Sequence, residues 1–216
     1  MTDPKTAFDK ALSKLPIVAI LRGLDPADAD WVGDTLVNEG IRIIEVPLNS
    51  PSPLKSIETL AHRLRETALI GAGTVTTAEQ VADVAQAGGQ LVVSPNTDSN
   101  VIRASVDHGL MSCPGSLSPT EAFDALKAGA DALKIFPANV IGPPGIKALM
   151  AVLPVGTRVL AVGGIEDGNM TAYWRAGVQG FGIGSALYQK GMGRNEVARR
   201  AKACATAAKA FIKDGG

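Results

Sequence analysis

Ala128-Gly129-Ala130-Asp131-Ala132-Leu133-Lys134-Ile135-Phe136-Pro137 carries the unit from which the chain is built. A glycine just past a helix takes the left-handed conformation that ends it. The apolar run that follows, stopped by a proline, reads as a strand covered on both faces. Side chains alternate along a strand, so Ala132, Lys134 and Phe136 share one face while Leu133 and Ile135 share the other. Lys134 is the anomaly. If helices cover the second face, the lysine points into an enclosed interior, where burial disfavours the ammonium and leaves a neutral amine able to attack a carbonyl. A lysine snorkelling out at a strand end, or paired with a buried carboxylate, is the competing reading.

The same unit recurs along the chain as EGIRIIEV (39–46), AGGQLVVS (87–94), HGLMSCP (108–114) and AGVQGFGIG (176–184), each opening on a helix-ending glycine. Residues 17–21, 69–72 and 158–162 have the strand pattern without that signal, which brings the count to eight strands. Eight strands alternating with helices in 216 residues predict a single α/β domain over 1–216, a compact (β/α)8 TIM barrel. An open doubly wound sheet is the alternative. It concentrates its site at one switch point, whereas here polar or glycine signals follow strands all along the chain. An extra amphipathic helix over 4–14, with Phe8 and Leu12 on one face, is expected to cap one end, and an alanine-rich helix over 195–213 to cover the outer wall.

Composition narrows the function. Lysine plus arginine balances aspartate plus glutamate at 21 each with no run of like charge, so no nucleic-acid footprint is present. No apolar run is long enough to span a membrane, and the polar first residues lack a signal-peptide core, so a cytoplasmic protein is expected. Cys113 and Cys204 lack metal-type spacing and are expected to be reduced. His62 and His108 fall on helices beside charged neighbours, with no metal-ligand pattern around them. Trp31, Tyr173 and Trp174 are expected to pack from helices.

In a barrel the C-terminal strand ends converge on one mouth, where active sites sit. They carry Arg22, Glu45, Thr74, Pro95, Asn96, Pro114, Gly115, Lys134, Gly163, Gly164, Gly184 and Ser185. Glu45, among isoleucines and a valine, reads as a structural ion-pair partner of Lys134 or Arg22, or as a general acid/base whose burial raises its pKa. Arg22 has the planar fork that suits a substrate carboxylate. Thr74 reads as a turn residue or, beside Arg22 and Lys134, a hydrogen-bond donor to that carboxylate. Two glycine loops after the last two strands occupy the place where barrel enzymes hold a phosphate on backbone N–H groups.

IVAILRG (17–23), IIEVPLNSP (43–51), GAGTV (71–75), VVSPN (92–96), CPG (113–115), ALKIFPA (132–138), AVGGI (161–165) and GIGSALY (182–188) occur in this order. With them the chain resembles the 2-keto-3-deoxy-6-phosphogluconate and 6-phosphogalactonate aldolase family, class I lyases on a small barrel. The resemblance implies Lys134 as the Schiff-base lysine and Glu45 as the proton shuttle, acting through a water. It implies Arg22, Thr74, Pro95 and Phe136 at the pyruvate end, and Gly163, Gly164, Gly184 and Ser185 at the phosphate. It implies a homotrimer that needs no cofactor and no metal. Asn49, Asn96 and Val162 look like the galactonate branch, since the gluconate branch usually has arginine, glycine and threonine there. The expected substrate is then 2-keto-3-deoxy-6-phosphogalactonate, split to pyruvate and glyceraldehyde 3-phosphate. A sugar-phosphate isomerase or epimerase, with Lys134 only an electrostatic stabiliser, is the alternative from another class, and a non-catalytic phosphate-binding module is a third.

Overall fold

The computed structural model describes residues 3–213. Helix α1 (Pro4–Lys14) starts where the Asp3 carboxylate accepts the Thr6 N–H at 3.0 Å and proline takes the first helical position. The strands follow as β1 (Ile17–Ile20), β2 (Ile43–Pro47), β3 (Leu69–Gly73), β4 (Leu91–Val93), β5 (Met111–Cys113), β6 (Gly115–Ser116), β7 (Leu133–Ile135), β8 (Val159–Val162) and β9 (Gly180–Ile183). Between them run α2 (Ala29–Asn38), α3 (Pro53–Leu64), α4 (Ala78–Gln86), α5 (Ser99–Asp107), α6 (Pro119–Ala128), α7 (Ala138–Met150) and α8 (Met170–Arg175), and α9 (Arg194–Lys213) closes the series. The helix-ending glycines 40, 88, 109, 129 and 177 all have positive φ, between 68° and 105°.

Every strand pairing is parallel, in the order β5-β4-β3-β2-β1-β9-β8-β7-β6. The two ends of that sheet are one interrupted strand. Pro114, which has no N–H to give, separates β5 from β6. β5 pairs with β4 and β6 with β7, while the Ser112 and Pro114 carbonyls accept from Asp131, Ala132 and Lys134 of the β7 segment. The sheet thus closes into a barrel. The nine strands are the eight predicted ones with the fifth split, because a proline interrupts its ladder. A second difference lies before α2. The turn begins as a short 3-10 segment (Pro26–Asp28) with the Asp25 side chain accepting the Ala27 N–H, and the α-helix starts only at Ala29.

Period-two alternation divides the apolar side chains into two bodies. Ile17, Ala19, Ile44, Val46, Leu133 and Ile135 face the helices, whereas Val18, Ile20, Ile43, Leu91, Leu160 and Val162 fill the interior. Phe8, Ala11 and Leu12 of α1 belong to the interior body, so this helix plugs the N-terminal end as predicted. Its rim is tied down by the ion pairs Lys5–Asp131, at 2.7 Å, and Asp9–Arg158. Burying the Phe8 ring completely contributes about 2–3 kcal/mol to holding the plug. Trp174 stacks on Phe211 of α9, with ring centroids 5.0 Å apart, and His62 and His108 are exposed.

Candidate active site

In the strand order β2 and β7 are separated by β1, β9 and β8 on one side and by β3, β4 and the broken β5/β6 on the other. They are opposite walls. Glu45, at the third position of β2, and Lys134, at the middle of β7, therefore project into the barrel from facing sides. Both are buried, at 2% and 6% exposure. Lys134 is in mid-strand and does not snorkel from its end; its Nζ lies 4.6 Å from the centroid of the half-buried Phe136 ring.

The two groups bias each other without forming an ion pair. Among the described residues no contact within 4 Å joins Glu45 to Lys134 or Arg22, and Glu45 Oε2 has no hydrogen-bond partner. Burial pushes the Glu45 carboxyl up to about 7, against the opposing pull of Lys134 and Arg22. Burial likewise holds the Lys134 amine below its ordinary value, with Glu45 the main opposing influence. A carboxyl poised near neutrality can both give and take a proton, and an amine pressed toward its neutral form has a free lone pair.

Glycines make room for the carboxylate. β2 pairs with β3 so that Glu45 lies beside Gly71, and a Cβ on Gly73 would sit 2.0 Å from Glu45 Oε2. Gly73 was not singled out from the sequence. The available signal was two inward positions of one strand, 71 and 73, both lacking a side chain next to a buried glutamate. Beneath the pair is a cavity of about 10 Å³, no more than one water's space, lined by Phe8, Glu45, Cys113, Lys134, Leu160 and Val162 among others. The Cys113 thiol, pushed up to about 12 by burial, stays protonated there and is a poor nucleophile.

The other predicted residues ring the mouth. Arg22 is exposed just after β1, and its Nη1 donates to Asn49 Oδ1 at 2.6 Å. The Gly23 N–H donates to Ser50 Oγ at 2.9 Å, so the loops after β1 and β2 are joined twice. Thr74 follows β3 with φ of 59°, a strained conformation for a β-branched residue that costs about 1–3 kcal/mol. Its half-buried side chain makes no hydrogen bond among the described residues. Pro95 follows β4, and its carbonyl lies 2.3 Å from where a Cβ on Gly115 would be, which explains the glycine after Pro114.

On the far side Gly163 and Gly164 follow β8 with φ of 102° and 70°. The Gly163 carbonyl accepts the Asn139 N–H, at the start of α7, and the Gly164 carbonyl accepts from Asn169 Nδ2. Gly184 and Ser185 follow β9, where the Gly184 carbonyl accepts the Leu187 and Tyr188 N–H groups. Among the described residues the N–H groups of Gly163, Gly164 and Ser185 have no acceptor. Unpaired backbone donors gathered at adjacent strand ends suit an anion. Val162 ends β8, with its side chain in the wall of the cavity that Lys134 shares.

This geometry has known relatives. The family model for KDPG and KHG aldolase matches residues 8–204. The chain belongs to that family. The 2-dehydro-3-deoxy-6-phosphogalactonate aldolase of Escherichia coli (strain K12) is 47% identical over 191 residues, 88% of this chain and 93% of that protein. The native KDPGal structure superposes with a TM-score of 0.91 at 45% identity, covering 93% of this chain and 97% of that one. The KDPG aldolase of Legionella pneumophila, solved with pyruvate captured as a covalent carbinolamine, gives 0.80 at 27% identity over 97% and 98% of the two chains.

Proposed function

We propose that the chain is a class I aldolase that splits 2-dehydro-3-deoxy-6-phosphogalactonate into pyruvate and glyceraldehyde 3-phosphate through an imine on Lys134. The observation that carries this reading is the pair itself, a buried amine pressed toward its neutral form facing a buried carboxyl poised near 7. The carbinolamine in the Legionella relative is the kind of adduct such an amine makes.

Lys134 Nζ attacks the C2 ketone; loss of water leaves a protonated imine, which draws electrons from the C3–C4 bond. Glu45 takes the C4 hydroxyl proton as that bond breaks and the aldehyde leaves. The same proton returns to C3 of the enamine, and water then releases pyruvate and restores the amine. Arg22, Thr74, Pro95 and Phe136 are assigned to the pyruvate end, and the open N–H groups of Gly163, Gly164 and Ser185, with Gly184 giving the turn, to the phosphate. The imine is its own electron sink, so the reading calls for no cofactor. A single cytoplasmic barrel domain over 1–216 assembled as a homotrimer belongs to the same proposal; the exposed Leu117, Phe123 and Val140 side chains support an apolar contact between copies.

The test is reduction with borohydride in the presence of pyruvate. A pyruvyl mass on the Lys134 peptide is expected, and an active enzyme with that peptide unmodified would leave Lys134 the electrostatic role of an isomerase or epimerase.

Two further outcomes follow from the geometry. In Gly73→Ala the new methyl and the Glu45 carboxylate cannot both keep their places, so kcat should fall about 100-fold, the scale of an ångström's misplacement. An unchanged kcat would show that the position of Glu45 is not critical. Val162 cannot donate to a C4 hydroxyl, whereas threonine of nearly the same volume can. The galactonate epimer should therefore have the higher kcat/KM, and Val162→Thr should move the ratio toward the gluconate epimer by about tenfold, one hydrogen bond's worth. A wild-type preference for the gluconate epimer would overturn the substrate and leave the imine chemistry in place.

A further inference from the structure

We propose that Phe8, on the helix that plugs the opposite end of the barrel, is a positioning residue for the reaction: its ring keeps water from reaching Lys134 and Glu45 from below. The inference rests on the assignment of Lys134 as the imine-forming residue. Phe8 is fully buried, belongs to the interior body with β1, β2, β4, β5 and β8, and lines the same small cavity as Lys134 and Glu45. The plug thus packs into the apolar interior and also borders the cavity that the reacting pair borders.

The charged and titratable groups around Lys134 are few. β2 contributes Glu45, β5 contributes the Cys113 thiol and the end of β1 contributes Arg22. β4, β8 and β9 contribute Leu91, Val93, Leu160, Val162 and Gly182, none of them ionisable. From α1, Lys5 and Asp9 are engaged at the rim by Asp131 and Arg158, and Lys10 and Lys14 are exposed. Among the described residues the lower rim holds the ion pairs Lys5–Asp131 and Asp9–Arg158; of these groups Asp131 acts on the Cys113 thiol, and none is among the influences on Lys134 or Glu45. Exclusion of water is then the main influence acting from that side, and for both groups burial is the largest cause of the shift. An enlarged cavity bordered by an amine and a carboxyl fills with water, unlike an apolar void.

The sign follows from solvation. Water beneath the pair stabilises both charged forms, so the amine rises toward its ordinary 10.5 and the carboxyl falls from about 7 toward its ordinary 4.5. The readout is the pH dependence of pyruvate-dependent inactivation by cyanoborohydride, with the added mass located on the Lys134 peptide. In Phe8→Ala the half-rise should move to higher pH, so labelling on the acid side of the wild-type half-rise slows about tenfold and recovers to the wild-type rate at high pH. Phe8→Leu should move it in the same direction by less.

Recovery at high pH separates this role from simple packing, since a structural lesion lowers the rate at every pH. An unmoved half-rise in a folded Phe8→Ala protein overturns the inference, and if that variant does not fold, an unmoved half-rise in Phe8→Leu does so. Absence of label on Lys134 in the wild-type enzyme would instead overturn the assignment on which the inference rests.

Discussion

Lys134→Met is expected to lower kcat on the order of 10⁶-fold, the scale on which turnover is lost when a nucleophile is removed, while leaving the protein folded. Methionine matches the lysine stem and gives up the amine, so no imine can form and no alternative electron sink adjoins the C2 carbon. Lys134 is buried in β7 against Gly115 and Leu160, so the substitution exchanges a desolvated amine for an apolar group of similar shape. Such exchanges are neutral or stabilising when the partner is not left as an unpaired charge. The partner here is Glu45, whose carboxyl already stands at about 7 and is held down chiefly by Lys134. Without that amine it rises further and stays protonated at neutral pH, which avoids an uncompensated buried anion. The melting temperature at pH 7 should therefore be unchanged or higher. Retained cleavage would mean another nucleophile, and a fall of many degrees in melting temperature would mean that the lysine is structural.

Glu45→Gln should separate imine formation from bond cleavage. The amide has the shape of the acid but cannot carry a proton, so kcat should fall about 10²–10⁴-fold, the usual contribution of a positioned acid/base. Borohydride trapping of pyruvate on Lys134 should persist, because the amine remains. The pH profile gives a second check with a definite sign. With a carboxyl at about 7, the wild-type rate should bend near neutrality, and as the buried pair is coupled the bend belongs to both groups. The glutamine variant has one titrating partner fewer and should lose that bend. Moreover, losing the carboxylate that raises Lys134 should shift the trapping profile to lower pH. Full activity, or an unaltered bend, would put the proton transfer on another group.

Local pattern was a good guide to the elements and to the direction of side chains. The helix-ending glycines, the alternation that sends Lys134 and Glu45 inward, and the amphipathic α1 could all be read from neighbouring residues, because φ, periodicity and capping depend on only a few positions at a time. The split of the fifth strand was less legible. Pro114 is visible in the sequence, but whether a proline ends a strand or merely interrupts it depends on where the flanking strands present their hydrogen-bonding groups. The Arg22–Asn49 hydrogen bond joins two loops, and neither residue's own surroundings in the sequence call for the other.

The sequence by itself determined that a lysine would share a strand face with Ala132 and Phe136, that a glutamate would share one with Ile43 in another apolar strand, and that glycine loops would follow the last two strands. Only the tertiary structure decided that β2 and β7 stand on opposite walls, that Gly73 leaves the space the Glu45 carboxylate occupies, and that Phe8 borders the same small cavity as both groups. The reason is physical. A pKa is set by the water and charge within a few ångströms, and which residues lie that close is fixed by closure of the barrel, a condition on all its strands together that no local stretch contains.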